Sequence, residues 1–308
     1  MSEQARRQAL LGLGVAAISC AAVLVRLAEG PALIVAAGRL CIASALLLPW
    51  AMAIHRAELR ALCVQHTRLV LLAGLFLALH FVLWIASLSY TSIASSVVLV
   101  TANPVFVAVA SYVLFRERLR RMTFVGIGIC LMGALLIGYE GWRLGSHVLR
   151  GDALALLAAF AMAAYLLVGR SLRTTFRVVP YAAAVFSSAA LMIAAVAVVS
   201  GVPVVGYSQK TYLMIVLLAL VPQLMGHVSL NWALRFLPAT MVTVAVLGEP
   251  VGASLLAIPV LSEVPTRVEV LGGVLILSGI LVAFVRGGAA EERQDAPAGG
   301  GEPTRSAP

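Results

Sequence analysis

Residues 92–115 read SIASSVVLVTANPVFVAVASYVLF, and residues 238–261 read PATMVTVAVLGEPVGASLLAIPVL. Each stretch is long and apolar enough to cross the hydrocarbon core of a bilayer as a helix, which takes about 20 residues. The two stretches align without a gap when 146 is added to each residue number, so that Pro104 meets Pro250. A proline in the same register of two apolar helices indicates an internal repeat.

The alignment extends outward to residues 88–135 and 234–281. Further identical pairs at this offset are Leu88 and Leu234, Val98 and Val244, Val100 and Val246, Val105 and Val251, Glu117 and Glu263, Arg121 and Arg267, Gly126 and Gly272, Leu131 and Leu277, Gly133 and Gly279, and Leu135 and Leu281. Chance matches Leu and Val in apolar helices, but it rarely matches Pro, Glu, Arg and two Gly in one register. The chain is therefore predicted to consist of two related halves.

The composition is that of a protein whose solvent is lipid. Of 308 residues, 62% are hydrophobic and 11% are charged, whereas soluble domains carry roughly 25% charged residues. In lipid every backbone polar group must be satisfied internally, so long apolar runs are predicted to be helices. Ten such runs occur, at residues 8–27, 31–54, 68–89, 92–115, 123–139, 151–170, 180–200, 211–234, 240–261 and 268–286.

Positive charge is distributed unevenly between the two ends of these runs. With the N-terminus in the cytoplasm, the inside segments hold 16 Arg or Lys residues and the outside segments hold 5, while Arg39 lies within the membrane. Cytoplasmic loops carry the excess of Arg and Lys, so both termini are predicted to be cytoplasmic. Each half has five helices, an odd number, so the second half enters the membrane in the opposite orientation to the first. The predicted fold is therefore an all-α integral membrane protein of ten transmembrane helices, arranged as two inverted five-helix repeats.

Other classes of function find little support in the sequence. The formal charge is +9, but the Arg residues sit in short loops and form no patch with interleaved aromatic residues, so no nucleic acid is expected as a partner. Cys20, Cys41, Cys63 and Cys130 show no CxxC spacing, which argues against a metal site or a disulfide framework. We find no phosphate-binding glycine loop and no catalytic motif, and we expect no metal, no cofactor and no catalytic residue.

Two ionisable residues lie deep within predicted spans, where a charge is costly and indicates function by default. Glu249 occupies the repeat position of Asn103, and each is followed by Pro, which frees a backbone carbonyl of the preceding turn. Glu249 could bind a cationic group or take a proton, or it could pin its helix to a neighbour. Arg39 could pair with Glu249, meet an anionic group of the cargo, or serve packing alone. We assign charge coupling to both and substrate binding to Asn103 and Glu249.

Further polar and aromatic candidates lie in the third and eighth runs. His80 and Trp84 are four residues apart, as are His227 and Asn231, so each pair shares a helical face. The two histidines occupy nearly equivalent repeat positions, so they could line a cavity between the halves or could each form an interhelical hydrogen bond. All four are predicted to bind substrate. Weaker candidates are Gln223 and Tyr165.

Short motifs in both halves resemble the EamA-type repeat of the drug/metabolite transporter superfamily. They are residues 87–92 (SLSYTS), 103–106 (NPVF), 116–118 (RER), 248–251 (GEPV), 262–263 (SE) and 272–273 (GG). The resemblance covers almost the whole chain. It implies ten helices, inverted halves, a central cavity lined mainly by helices 1, 3, 4, 6, 8 and 9, and often the export of metabolites. At Ser262 the sequence departs from the pattern, since many members have Gly before the Glu.

On this basis residues 1–143 form a first EamA-type repeat, residues 144–286 form a second, and residues 287–308 are a disordered cytoplasmic tail. The hypothesis is a secondary transporter, and by the resemblance an exporter, of a small metabolite such as an amino acid or related compound, in a bacterial-type inner membrane. Expected partners are the cargo, the lipid bilayer, a proton or other ion, and a second copy of the chain in a homodimer. Two alternatives remain on the same duplicated fold: a membrane-embedded enzyme, and a non-transporting scaffold or sensor.

Overall fold

The structure is a computed structural model that describes residues 3–116, 121–233, 242 and 245–288. These residues form α-helices and one π-helical segment, and no strand occurs among them, so the all-α prediction is confirmed. The helices are α1 (Glu3–Ser19), α2 (Ala21–Ala28), α3 (Ala32–Ile54), α4 (Arg56–Val64), α5 (Thr67–Ser87), α6 (Ile93–Val100), α7 (Asn103–Phe115), α8 (Arg121–Leu144), α9 (Ser146–Val168), α10 (Arg170–Thr175), α11 (Val178–Val199), α12 (Gln209–Leu218), the π segment (Ala219–Val228), α13 (Ser229–Ala233), α14 (Gly248–Leu261) and α15 (Arg267–Gly288).

Eight helical stretches of the described chain are long and apolar enough to cross a membrane. They are Ala9–Ala28, Ala32–Ile54, Thr67–Ser87, Ile93–Leu114, Arg121–Leu144, Ser146–Val168, Val178–Val199 and Gln209–Ala233. The chain is thus a multi-pass membrane protein. Helix α14 is apolar but shorter, because the predicted span 240–261 falls partly outside the described residues, and α15 is helical over 22 residues.

Several predicted boundaries and loops differ from the structure. The sequence predicts a fifth span that ends at residue 139, before Glu140, but α8 continues to Leu144. The Glu140 carboxylate accepts a hydrogen bond from the Thr266 hydroxyl at 3.0 Å. The basic loops around residues 56–64 and 170–175 contain the short helices α4 and α10, which hydropathy does not reveal. Glu117, Leu234 and Val244 lie outside the described residues, as do residues 289–308 of the tail predicted at 287–308, whose first two residues belong to the end of α15.

The surface of the bundle is apolar. Leu135, Leu191 and Val199 are 72%, 71% and 88% exposed in the isolated chain. Contiguous apolar surface on this scale is rare on soluble monomers, and lipid tails are its natural contact. The buried core is equally apolar, and its fully covered positions include small residues such as Ala28, Ala36 and Ala183 that let helices approach closely.

Three of the spans are interrupted near the middle of the bundle. The first breaks at Cys20, between α1 and α2, and the fourth breaks at Thr101 and Ala102, directly before Asn103 and Pro104. The eighth widens into the π segment, which contains Pro222. Proline removes a backbone donor and crowds the preceding turn, and π-helical turns occur often at functional sites.

Helices α8 and α15 pack with their backbones in contact. A Cβ added to Gly126 would clash with the Gly279 carbonyl oxygen, and one added to Gly133 would come within 2.6 Å of the Gly272 carbonyl oxygen. From the first contact to the second, the residue number increases along α8, from 126 to 133, and decreases along α15, from 279 to 272. The two helices are therefore antiparallel. In the repeat, Gly126 aligns with Gly272 and Gly133 with Gly279. Replacing each glycine by its repeat equivalent therefore turns the Gly126–Gly279 contact into the Gly272–Gly133 contact.

Helices α7 and α14 end in the same way. Their C-caps, Arg116 and Ser262, have φ values of 54° and 55° and lie in the left-handed region. These two residues are repeat equivalents at the offset of 146. The left-handed conformation favours glycine after a helix, which explains physically why a Gly before the Glu is common in the pattern that Ser262 departs from.

Candidate functional site

One cavity of about 320 Å³ lies among the interrupted spans. Its lining comes from α1 and α2, α5, the junction of α6 and α7, α9, the π segment with α13, and the start of α14. It also includes Val242, Val246 and Leu247 before α14 and one side chain of α11, Phe186. All six predicted substrate-binding residues contribute to the lining: His80, Trp84, Asn103, His227, Asn231 and Glu249. Tyr165 and Gln223 line it too. The fold brings these residues together, and their role in binding stays a prediction.

One wall of the cavity is aromatic. The ring of His80 lies parallel to that of Trp84, with 6.4 Å between centroids, and tilted against Phe81 at 5.0 Å. His80 Nδ1 donates to the Ala158 carbonyl oxygen of α9 at 3.0 Å, which fixes the ring and leaves Nε2 as an acceptor. Trp84 Nε1 is buried and has no hydrogen-bond partner among the described residues. This wall therefore offers a flat aromatic surface with polar positions at its edges.

The opposite wall is carried by the π segment and α13. The ring of His227 meets Phe81 edge-on at 6.2 Å, so the aromatic contacts join both walls. Asn231 Nδ2 donates to the His227 carbonyl oxygen at 2.8 Å, a bond within its own span that leaves the amide oxygen available to the cavity that Asn231 lines. Gln223 and His227, four residues apart on the π segment, both line the same cavity.

Asn103 and Glu249 hold equivalent places at the starts of α7 and α14. Pro104 cannot donate to the Val100 carbonyl oxygen, and Asn103 Nδ2 takes over that role at 3.2 Å. Glu249 lies in the first turn of α14, where the helix dipole favours a negative charge. Its carboxyl group lines the cavity and forms no ion pair or hydrogen bond with another described residue. A ligand with a positive group or a hydrogen-bond donor could therefore reach it.

Arg39 lies behind the cavity wall rather than in it. The residue is 0% exposed, Nη2 donates to Gln223 Oε1 at 2.6 Å, and the guanidinium lies 4.3 Å from the centre of the Phe81 ring. Arg39 and Glu249 form no salt bridge in the described chain. The direct contacts of Arg39 are a neutral amide and an aromatic face, while the charge of Glu249 acts on it without direct contact. Its Nε and Nη1 have no hydrogen-bond partner among the described residues.

Sequence reasoning missed most of the apolar lining. Phe81 is 2% exposed and contacts His80, His227 and Arg39, so it links the two walls to the buried charge. Its position next to His80 was a usable signal. No signal separates Met162, Leu166 and Phe186 from the other apolar residues of their helices, because every face of a membrane helix is apolar.

Comparison with known proteins agrees with this architecture. A model of a family described as "EamA-like transporter family" matches the chain twice, over residues 8–139 and 149–285. The chain belongs to the EamA-like transporter family. The match confirms the resemblance of the sequence motifs and favours transport over the enzyme and scaffold alternatives.

Relatives of this EamA-like chain carry the same general description. An "Uncharacterized transporter YdfC" of Bacillus subtilis is 24% identical over 188 residues, which is 61% of each chain. An "Uncharacterized transporter" of Clostridium kluyveri is 25% identical over 209 residues, covering 64% of this chain and 65% of the relative. The matched regions thus span less than two thirds of these relatives.

A solved structure described only as "Crystal structure of protein" superposes with a TM-score of 0.65 at 19% identity, covering 90% of this chain and 97% of the other. At this identity the likeness concerns the fold alone. It shows that the helical arrangement of the EamA-like chain also exists in a solved protein.

Proposed function

We propose that this chain is a secondary transporter that exports a small metabolite, an amino acid or related compound, by alternating access across a bacterial-type inner membrane. The observation that carries the proposal is the cavity between the halves, lined by His80, Asn103, His227 and Glu249. Its volume of about 320 Å³ is at the lower end of the roughly 300–1,000 Å³ of ligand pockets, which suits a small cargo.

The inverted arrangement belongs to this proposal, and three features support it. The Gly126–Gly279 and Gly133–Gly272 contacts between antiparallel helices exchange under the repeat relation. The left-handed caps at Arg116 and Ser262 are equivalent. Inverted repeats place the binding site at the interface of the halves, and Asn103 and Glu249 reach one cavity from repeat-equivalent positions.

The chemistry of the cavity fits a cargo with an apolar body and at least one polar group. The aromatic wall provides a surface for the apolar part, while Glu249, Asn231 and the His80 Nε2 provide polar contacts. Glu249 and Arg39 are the groups through which movement of a proton or another ion could be coupled to movement of the cargo. A charge inside the membrane requires a partner in one conformation of the transport cycle or another. Both termini are proposed to be cytoplasmic, from the Arg and Lys bias.

Transport by the purified protein in liposomes tests the function. Candidate amino acids and related metabolites are loaded inside, and their exit is followed with and without a proton gradient. At least one cargo should leave faster than from liposomes that contain denatured protein. Failure of every cargo to move, with the protein folded and inserted, would contradict the proposal. Accessibility labelling of residue 116 should place it on the cytoplasmic side; an external position would contradict the topology.

A further inference from the structure

A continuous set of polar contacts closes the bundle at the ends of α2 and α5. We call it the Arg26 belt: Arg26, Thr91, Ser92, Glu263 and Glu269. Arg26 Nη2 donates to the Thr91 carbonyl oxygen at 2.7 Å and lies 3.4 Å from Glu263 Oε2. Glu263 Oε1 accepts from the Ile93 backbone N–H. These contacts join the end of the first span to the α5–α6 loop and to the α14–α15 loop.

The belt continues around the same end of the bundle. Glu269 accepts hydrogen bonds from the hydroxyl of Ser92 and, at 2.9 Å, from the hydroxyl of Ser95. Thr91 Oγ1 donates to Asp152 Oδ1 at 2.7 Å, so a single residue links Arg26 to the start of α9. Asp152 is 3% exposed, and its second oxygen has no hydrogen-bond partner in the described chain. Arg26 therefore holds together loops that carry several carboxylates.

At the opposite end of the cavity, the contacts of Arg173 and Arg177 differ in kind from those of the belt. Arg173 Nη2 donates to the Leu166 carbonyl oxygen at 2.6 Å, within the continuous segment of α9 and α10, and its guanidinium lies 5.6 Å from the Tyr165 ring centre. The ion pair of Arg177 with Glu58 at this end is largely exposed and joins α4 to α11, away from the lining. At this end the contacts of Arg173 stay within one segment, whereas the Arg177–Glu58 pair joins the two halves at the surface, away from the cavity lining.

The cavity itself extends toward this second end. Its α9 lining is Met162, Tyr165 and Leu166, in the last two turns before Val168. The first 16 residues of α9, about 24 Å at 1.5 Å per residue, contribute no lining side chain. Asn231 is likewise two residues from the end of α13. The α9 and α13 lining thus lies nearer to the Arg173 end, whereas Trp84, three residues before the end of α5, brings the cavity close to the belt that lies across the other end.

We infer that the Arg26 belt is the gate that closes the cavity on the Arg26 side, and that transport requires its Arg26–Glu263 and Arg26–Thr91 contacts to break and re-form. The inference rests on the proposed function, because a gate has meaning only if the cavity opens to both sides. Arg26 is the residue whose loss opens the gate: without its guanidinium the end of α2 loses its contacts with the Thr91 carbonyl oxygen and with the Glu263 carboxylate. The gate controls whether the cavity is open to the Arg26 side of the membrane, and it does not contact the cargo in the cavity.

The test uses one cysteine in the cavity, Val107→Cys, in the full chain with its four natural cysteines replaced by Ala. A second variant with Val205→Cys, in the exposed loop before α12, reports which vesicle orientation presents the Arg26 side. The rate of labelling by a membrane-impermeant maleimide is measured from each side without cargo. Arg26→Gln should raise labelling of Val107→Cys from the Arg26 side on the order of tenfold, the factor for loss of one hydrogen bond to a charged group.

Arg173→Gln is the matched control, since it removes the same charge from a contact within one helical segment. It should leave labelling from the Arg26 side within about twofold of the parent. Glu263→Gln should act in the same direction as Arg26→Gln, and the double variant should not exceed Arg26→Gln, because Glu263→Gln removes one of the two contacts that Arg26→Gln removes. Should Arg26→Gln fail to yield monodisperse protein, Glu263→Gln tests the same contact.

Unchanged labelling in both Arg26→Gln and Glu263→Gln, or an equal rise in Arg173→Gln, would overturn the gate. The outcome is separable from the proposed function, which the liposome assay of the unaltered chain tests. Cargo transport with unaltered labelling leaves the function standing and removes the gate. Raised labelling in Arg26→Gln without transport of any cargo removes the function and leaves the belt as a closure of a cavity with another use.

Discussion

Asn103–Pro104 in the first half and Glu249–Pro250 in the second half are repeat equivalents that line one cavity. The proline interrupts both helices in the same way, but the side chains before it differ in chemistry. Asn103 satisfies the carbonyl oxygen of Val100 with its own amide. A carboxylate at position 249 cannot donate in this manner, and it is left for the cavity. The halves are thus alike in backbone and unlike in charge at the point where a cargo would bind.

The same two halves agree closely where they pack. Gly126 and Gly133 of α8 meet Gly279 and Gly272 of α15 in reciprocal contacts, and the left-handed caps at Arg116 and Ser262 have φ values of 54° and 55°. Duplication therefore kept the residues whose backbone geometry has no substitute, while side chains in the cavity were free to diverge. Substitutions in both kinds of region test this contrast.

The largest effect is expected at the charge that distinguishes the halves. Glu249→Gln keeps the shape of the side chain and removes its charge, so transport per folded molecule should fall roughly 10- to 100-fold, the range for loss of one interaction with a charged group. Rates are divided by the amount of monodisperse protein. Ser254→Ala on the same helix, whose hydroxyl bonds the Pro250 carbonyl oxygen at 2.8 Å, is the control and should keep its transport. Normal transport per folded molecule with a reduced yield of monodisperse protein would mean that Glu249 stabilises the fold and does not act in transport.

Replacing a packing glycine by a larger residue should destabilise the protein in either half. Gly126→Ala places a Cβ against the Gly279 carbonyl oxygen, and such overpacking costs about 1–3 kcal/mol. Gly128, two residues away, has no neighbour within 4 Å of an added Cβ, so Gly128→Ala should not destabilise the protein. Thermal unfolding in detergent compares the two variants. Equal melting temperatures would mean that the close approach of α8 and α15 is absent in solution.

The two cavity histidines should separate into different roles. His80→Ala removes the hydrogen bond to the Ala158 carbonyl oxygen, and the free energy of unfolding should fall by about 1–2 kcal/mol. His227 has no ring hydrogen bond among the described residues, so His227→Ala should change stability by less than about 0.5 kcal/mol and should act on the half-saturation concentration of the cargo instead. Melting curves and transport assays are measured for both variants. Equal losses of stability in His80→Ala and His227→Ala would contradict the assignment of different roles to the two histidines.

The smallest effect is expected at the helix cap. Ser262 has a φ of 55°, a conformation that costs non-glycine residues about 1–2 kcal/mol. Ser262→Gly should therefore stabilise the protein by about 0.5–1 kcal/mol, after the entropy that Gly loses on folding is counted. Ser254→Gly, in the interior of α14, is the control and should lower stability by about 0.5 kcal/mol. A destabilising Ser262→Gly would show that the hydroxyl has a contact that offsets the strain.

Several features could be inferred from the sequence because they depend on local composition and register. Long apolar runs indicate helices in lipid, and the EamA-like family follows from motifs such as Gly248-Glu249-Pro250-Val251. His80, Trp84, Asn103, His227, Asn231 and Glu249 all line the cavity, as the repeat led us to expect. A polar residue in an apolar helix needs a partner or a cavity, so its place in the chain is informative by itself.

Other features were decided only by the tertiary structure. In a soluble helix the apolar stripe marks the buried face, but in lipid the buried and the exposed faces are both apolar, so Met162 in the cavity cannot be told from Leu135 toward lipid. The partner of Arg39 could not be foreseen either: Gln223 is 184 residues away and is brought to it by the packing of α3 against the π segment. The belt around Arg26 depends on loops that meet only when the halves assemble. Sequence therefore determined what each segment is made of and which solvent it faces, whereas the partners of each charge were determined by packing, because lipid leaves a buried charge no solvent to pair with.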